Sequence, residues 1–151
     1  MNINPNKWSC MPTAFANVIG YPLGFLIKKI GHDGSEKVGD GHRGFHSQEI
    51  IEVLDDMGWK VTCIDLYPVM GYESGELDVY MGNPKDRLKD HMAFDMGVLC
   101  GILIKEEVPH AVTWDLGNKR IYDPRGVGLT WAPEDFLYKH FEPKLFFKVR
   151  P

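Results

Sequence analysis

The stretch His110-Ala-Val-Thr-Trp-Asp-Leu-Gly-Asn-Lys-Arg-Ile-Tyr-Asp-Pro124 decides the fold class. Ala111 to Leu116 alternates as a strand does, Gly117-Asn118 is turn chemistry, and Arg120 to Tyr122 reads as the returning strand. A hairpin makes the neighbouring strands antiparallel. A turn of two residues at 117–118, or of four at 116–119, sets the same register: Asp123 faces Val112, and His110 faces position 125. His110 and Asp123 then share one face of the sheet as diagonal neighbours, roughly 7–8 Å apart at the backbone. Their side chains can meet across that gap.

Upstream of the hairpin the chain is helical first and stranded later. Pro12 to Ile19 has helical spacing with Gly20 as its stop, and Pro22 opens a second helix that Gly31 ends. Ser47 caps a third whose apolar stripe is Ile50, Ile51, Leu54 and Met57. Trp59 to Leu66 and Val98 to Ile104 read as strands, and Pro84 to Phe94 as a polar helix. Tyr67 to Asn83 is mostly turn-forming. Pro133 to His140 is a last short helix, and Lys144 to Val149 a closing strand. Helices followed by adjoining strands give an α+β plan, with a helix packed on an antiparallel sheet.

Composition bounds the function. The 151 residues, 44% hydrophobic and 25% charged, suit one globular domain over 1–151. A net charge of −4 argues against a nucleic-acid partner, because phosphate-tracking surfaces are basic. No apolar run approaches the roughly 18 residues that span a bilayer, so no membrane partner is expected. Met1 to Trp8 is polar and lacks the plan of a signal peptide. Three cysteines, Cys10, Cys63 and Cys100, do not make a disulfide framework. The expectation is a soluble, cytoplasmic protein.

Several motifs fail on inspection. Gly39-Asp-Gly-His-Arg-Gly44 has dinucleotide-turn spacing, but no strand feeds it. Asp33-Gly-Ser-Glu-Lys37 opens like a calcium loop and then places Lys37 where an oxygen ligand is needed. His32, His42 and His46, with Asp33 and Asp40, invite a metal, but no regular element holds them and no C-x-x-C pair supports zinc. They read as a solvated loop, and neither a metal nor a cofactor is expected.

Cys10 stands apart from the other thiols. It lies just ahead of the first predicted helix, where unpaired N–H groups and the positive end of the helix dipole favour thiolate over thiol. Cys63, within a strand, and Cys100, in an apolar run, read as buried small hydrophobes. His110 heads its strand where a core position would favour a hydrophobe. The register brings Asp123 within reach of it, so the carboxylate can fix the imidazole tautomer and leave the other nitrogen for a sulfur. Trp8 and Trp114 flank this constellation and read as shielding, and the glycine-rich 32–44 loop as a border of the substrate groove. His91 and His140 read as surface residues.

In the order Cys, His, Asp, carried on Trp8-Ser-Cys-Met-Pro-Thr-Ala-Phe-Ala16, His110-Ala-Val-Thr-Trp114 and Ile121-Tyr-Asp-Pro124, the chain resembles the papain-like cysteine peptidase superfamily. It is most like the small bacterial branch that includes bacteriocin-leader-processing peptidases; stand-alone proteins of this kind occur in bacterial and phage genomes. The resemblance implies a papain-like fold with Cys10 as nucleophile, His110 as general acid/base and Asp123 as the orienting group. Such peptidases also place a side-chain amide, typically a Gln shortly before the cysteine, in the oxyanion hole. No Gln stands there in this chain, and Asn4 and Asn6 are the amides that replace it. The implied activity is hydrolysis of an amide bond in a peptide or protein substrate through an acyl-thioester. The alternatives are acyl transfer of the transglutaminase kind, and an inactive papain-like scaffold used for binding.

Overall fold

The computed structural model describes residues 1–68 and 81–151. Helix α1 (Cys10–Ile19) begins two residues before its expected start, so Cys10 is the first helical residue and not the one ahead of it. Pro12 is harmless there, because the first-turn N–H groups have no helical partner. Gly20, at φ 75°, ends the helix in the left-handed conformation that glycine adopts without strain. Helix α2 (Leu23–Ile30) follows Pro22 and stops at Gly31 as the sequence predicts. The 32–44 segment, expected to be irregular throughout, holds a small hairpin of β1 (Lys37–Val38) and β2 (Gly41–His42).

Helix α3 (Ser47–Asp56) is capped by His46 and not by Ser47. The His46 ring accepts from the Gln48 N–H, while Glu49 reaches back to the His46 N–H. A histidine can fill this reciprocal role because its unprotonated nitrogen is an acceptor like a serine oxygen. Helix α4 (Pro84–Met92) starts on an Asn83 cap with proline at its first position. The short helix α5 (Pro133–Phe136) covers only the first half of the predicted one. The turn-forming reading of Tyr67 to Asn83 falls largely on 69–80, outside the described residues.

Six strands form one antiparallel sheet: β3 (Lys60–Asp65), β4 (Gly97–Leu103), β5 (Val108–Asp115), β6 (Arg120–Tyr122), β7 (Thr130–Trp131) and β8 (Phe141–Arg150), in spatial order β3-β8-β4-β5-β6-β7. The last strand thus lies between the first and second strands of the sheet. Alternate residues of β4, β5 and β8 enter two different cores. Val98, Cys100, Ala111, Phe147 and Val149 pack with Phe15, Leu26, Ile50 and Leu54 of α1–α3. Leu99, Val112, Trp114 and Phe146 pack with Leu88 and Met92 of α4 and Phe136 of α5. With a side-chain period of two, this division means the sheet is covered on both faces.

The outer strand β3 corrects one expectation. Cys63 is exposed, because β3 is an edge strand with neither core pressing on that position. His91 also departs from a simple surface role. It is half-buried against Lys148, and burial first, then Lys148 and Arg87, hold its imidazole below the ordinary range. No single helix among the described residues is long and apolar enough to cross a membrane.

Candidate active site

The site is assembled where α1 meets β5. Thr113 Oγ1 donates to the Ala14 carbonyl at 2.8 Å, in a buried contact that pins the strand to the helix. Cys10 lies one turn before Ala14, and His110 three residues before Thr113. The hairpin takes the longer of the two turns the sequence allows, residues 116–119. The Asp115 carboxylate accepts from the Asn118 N–H and side-chain amide, and Lys119 adopts φ 54°. The register is the predicted one, with Thr113 opposite Tyr122 and Asp115 opposite Arg120. Strand β5 starts at Val108, two residues before His110, so His110 lies within it and not at its head.

Opposite His110 in β4 is Gly101, beside a break in register where β4 at Cys100 and Gly101 pairs with Leu145 and Pro143 and skips Lys144. Pro143 has no N–H to give the ladder, which accounts for a bulge at that point. A Cβ on Gly101 would lie 2.0 Å from the Glu142 carbonyl oxygen, so the close approach of the strands requires glycine.

His110 and Asp123 meet as the register predicts. The imidazole Nε2 lies 2.9 Å from Asp123 Oδ1, and both residues are buried. An acceptor-only carboxylate fixes Nε2 as the protonated nitrogen. Nδ1 is then the nitrogen left for the thiol. Burial pushes the His110 imidazole down, but the bond to Asp123 and then the Cys10 side chain push it up, and the net shift is upward. Cys10 is near enough to His110 for its side chain to contribute to that upward shift.

Asp123 is held from a side the sequence does not announce. Arg125 donates Nε and Nη2 to Oδ2 at 2.8 and 2.6 Å, and its backbone N–H to Oδ1 at 3.0 Å. Burial alone would raise this carboxyl. The bonds from His110 and Arg125 outweigh it and bring the pKa to about 2. The residues Asp123-Pro-Arg125 were a legible signal only as a turn opener, since an Asp commonly bonds the N–H two residues on.

Around Cys10, the preceding residues form a tight frame. Ser9 is the cap residue, and its hydroxyl donates to Asn6 Oδ1 at 2.6 Å. The Trp8 N–H also reaches Asn6 Oδ1, at 3.2 Å. Asn6 thus spends its carbonyl oxygen on the helix start and keeps its NH₂ as the end that can donate. Asn4 is placed elsewhere. Its N–H donates to the Pro124 carbonyl at 2.7 Å, on the Asp123 side, and its buried Oδ1 has no hydrogen-bond partner. The first turn of α1 carries no acidic residue to offset the positive end of its dipole.

The 32–44 segment lies against this frame. The Trp8 ring stacks on His42 with centroids 3.9 Å apart, and its Nε1–H donates to the Asp33 carbonyl at 3.0 Å. His32 is bonded to Glu49 and stacked on Phe45, while His46 caps α3. His32 and His46 thus share Glu49 while His42 stacks on Trp8, and no metal-holding cluster is present among the described residues. Trp114 is core, with its indole N–H on the Met92 carbonyl. Cys100 is buried, and burial pushes its thiol up to about 12. No protein-family model matches this chain, and no curated protein matches it.

Proposed function

We propose that this chain is a cysteine hydrolase of the papain-like kind that cleaves an amide bond, with a peptide or protein as substrate. The observation that carries the proposal is the buried His110–Asp123 pair at 2.9 Å, beside Cys10, the first residue of α1. In this mechanism His110 Nδ1 takes the Cys10 proton, and Nε2–H stays on Asp123. The thiolate adds to the scissile carbonyl carbon, forming an S–C bond and placing the electron pair on oxygen. The Cys10 backbone N–H, free of helical partners, is one oxyanion donor, and the Asn6 amide is the second. The C–N bond then breaks as His110 returns its proton to the leaving amine. Water, deprotonated by His110, adds to the thioester and releases the acid, and the proton returns to sulfur.

The deciding experiment is alkylation by iodoacetamide, read cysteine by cysteine by peptide mass spectrometry. At pH 6 the Cys10 rate should fall at least about tenfold in His110→Ala, because the imidazole is what makes the nucleophile. Cys100 and Cys63 supply the internal background. Equal Cys10 rates in the two proteins would overturn the proposal. In a peptide-library cleavage assay, Cys10→Ser should be inert while retaining the fold; turnover in that variant would also overturn it. Products that carry an added amine in place of a new carboxyl would assign the same chemistry to acyl transfer.

A further inference from the structure

A second site lies away from the thiol. Between α4, the β5–β6 turn and the Pro133–Tyr138 segment there is a cleft of about 580 Å³. Its apolar lining comes from Leu88, Met92, Trp114, Leu116 and Leu137. Trp114 is four residues along β5 from His110, about 13 Å of strand. With its indole N–H spent on Met92, it offers the cleft only ring surface.

The lip has a different chemistry. Lys85 and Lys89, one turn apart on α4, stand on one side and Lys119 on the other, against one carboxylate, Glu134. None of the three lysines is in an ion pair among the described residues. Lys85 is also the second residue of α4, at the positive end of the helix dipole, where a cation is disfavoured. The two lysines repel each other at that spacing, and Lys85 Nζ rests 4.4 Å from the centroid of the Tyr138 ring at the edge of the cleft. In a chain of net charge −4 this is a local reversal of sign.

The geometry points to a binding site for a small amphipathic carboxylate: an apolar tail laid on Trp114 and its neighbours, and a carboxylate head among Lys85, Lys89 and Lys119. The volume falls in the range of sites that take whole small ligands, roughly 300–1,000 Å³. Charge selects the class. A neutral tail would gain the floor but not the lip, and a cationic head would meet the three ammonium groups.

The inference does not depend on the thiol chemistry, so the experiment uses the full-length Cys10→Ser protein beside the unaltered one. Calorimetric titration with decanoate, decanol and decyltrimethylammonium separates head from tail. Decanoate is expected to bind one to one in both proteins and to quench tryptophan emission. Decanol should bind at least several-fold more weakly, and the cation not at all. Lys85→Gln and Lys119→Gln, both surface changes, should each loosen decanoate about two- to fivefold and reduce its salt dependence. Equal affinity for decanoate and decanol, or decanoate binding unmoved in the Lys85→Gln/Lys119→Gln double variant, overturns the assignment. So does the absence of any decanoate heat or quenching.

Discussion

Replacing Asp123 by Asn keeps the shape of the side chain and removes its charge, and the consequences differ with pH. The carboxyl moves from an ordinary 3.8 to about 2 on folding. At 1.36 kcal/mol per unit, that depression is worth about 2 kcal/mol wherever the group is ionised in both states. The sign is fixed by the direction. A depressed carboxyl stabilises fully above its unfolded pKa, and the contribution fades as pH falls toward 2. His110 is shifted the other way, so its contribution is complete below 6.5 and is lost as pH rises through its folded value. Between about pH 5 and 6.5 both are present. In urea, with a slope of about 2 kcal/mol/M, Asp123→Asn should lower the midpoint by about 1 M at pH 6. Near pH 3 the same substitution should cost only about half as much, because the native carboxylate has already lost part of its advantage. The His110 imidazole, left with burial as its main influence, should titrate lower than in the unaltered protein when followed by proton NMR. A midpoint difference that does not shrink from pH 6 to pH 3, or a His110 titration that stays in place or rises, would refute the electrostatic account.

Arg125→Gln should act in the opposite sense on the imidazole. It removes the cation that offsets Asp123, so the His110 titration moves up while that of Asp123 moves up toward the ordinary carboxyl range; a fall at His110 would contradict this. Gly34→Ala should destabilise the fold by about 1 kcal/mol or more, seen as a melting temperature lower by several degrees and altered tryptophan emission. Its Cβ would lie 2.8 Å from the Phe45 ring and 2.9 Å from Trp8, at φ 73°. An unchanged melt would show that the 32–44 segment does not press on Trp8. Among the thiols, Cys63 should react with a disulfide reagent in the native protein and Cys100 only after unfolding, since the first is exposed and the second buried with a thiol pushed up to about 12.

Local chemistry was legible wherever a short segment determines its own geometry. The Gly117-Asn118 turn and the alternation around it set the β5–β6 register locally, and glycines end α1 and α2 where the helical stripe stops. What escaped was decided by segments far apart in the chain. Nothing in Phe141–Arg150 announces that it will lie between β3 and β4, and the two-residue β7 exists only because β6 is there to pair with it. The misplacement of Cys63 has the same origin. Alternation in Lys60–Asp65 puts Cys63 on the face of Val61, which meets the helix-side core, but only the position of β3 at the sheet edge leaves Cys63 itself exposed. The His46 cap escaped for a different reason: serine is the commoner capping residue, and only the observed backbone shows which of two adjacent acceptors does the work.

At the candidate site, register arithmetic carried the His110–Asp123 contact, because a diagonal pair on an antiparallel hairpin is a geometric necessity once the turn is placed. Arg125 was not reachable by that route. It lies beyond the ladder, in a turn whose direction no strand dictates, and its guanidinium folds back onto a carboxylate two residues earlier. Its presence changes what Asp123 is for. A bare buried carboxylate would be expensive, and alone would hold His110 strongly protonated; a carboxylate shared with Arg125 stays ionised while exerting a weaker pull on the ring. In the role proposed for His110, a proton must be both accepted and released within one turnover, and a tempered carboxylate suits that role better than an unopposed one. The opposite shifts expected from Asp123→Asn and Arg125→Gln measure that tempering from its two sides.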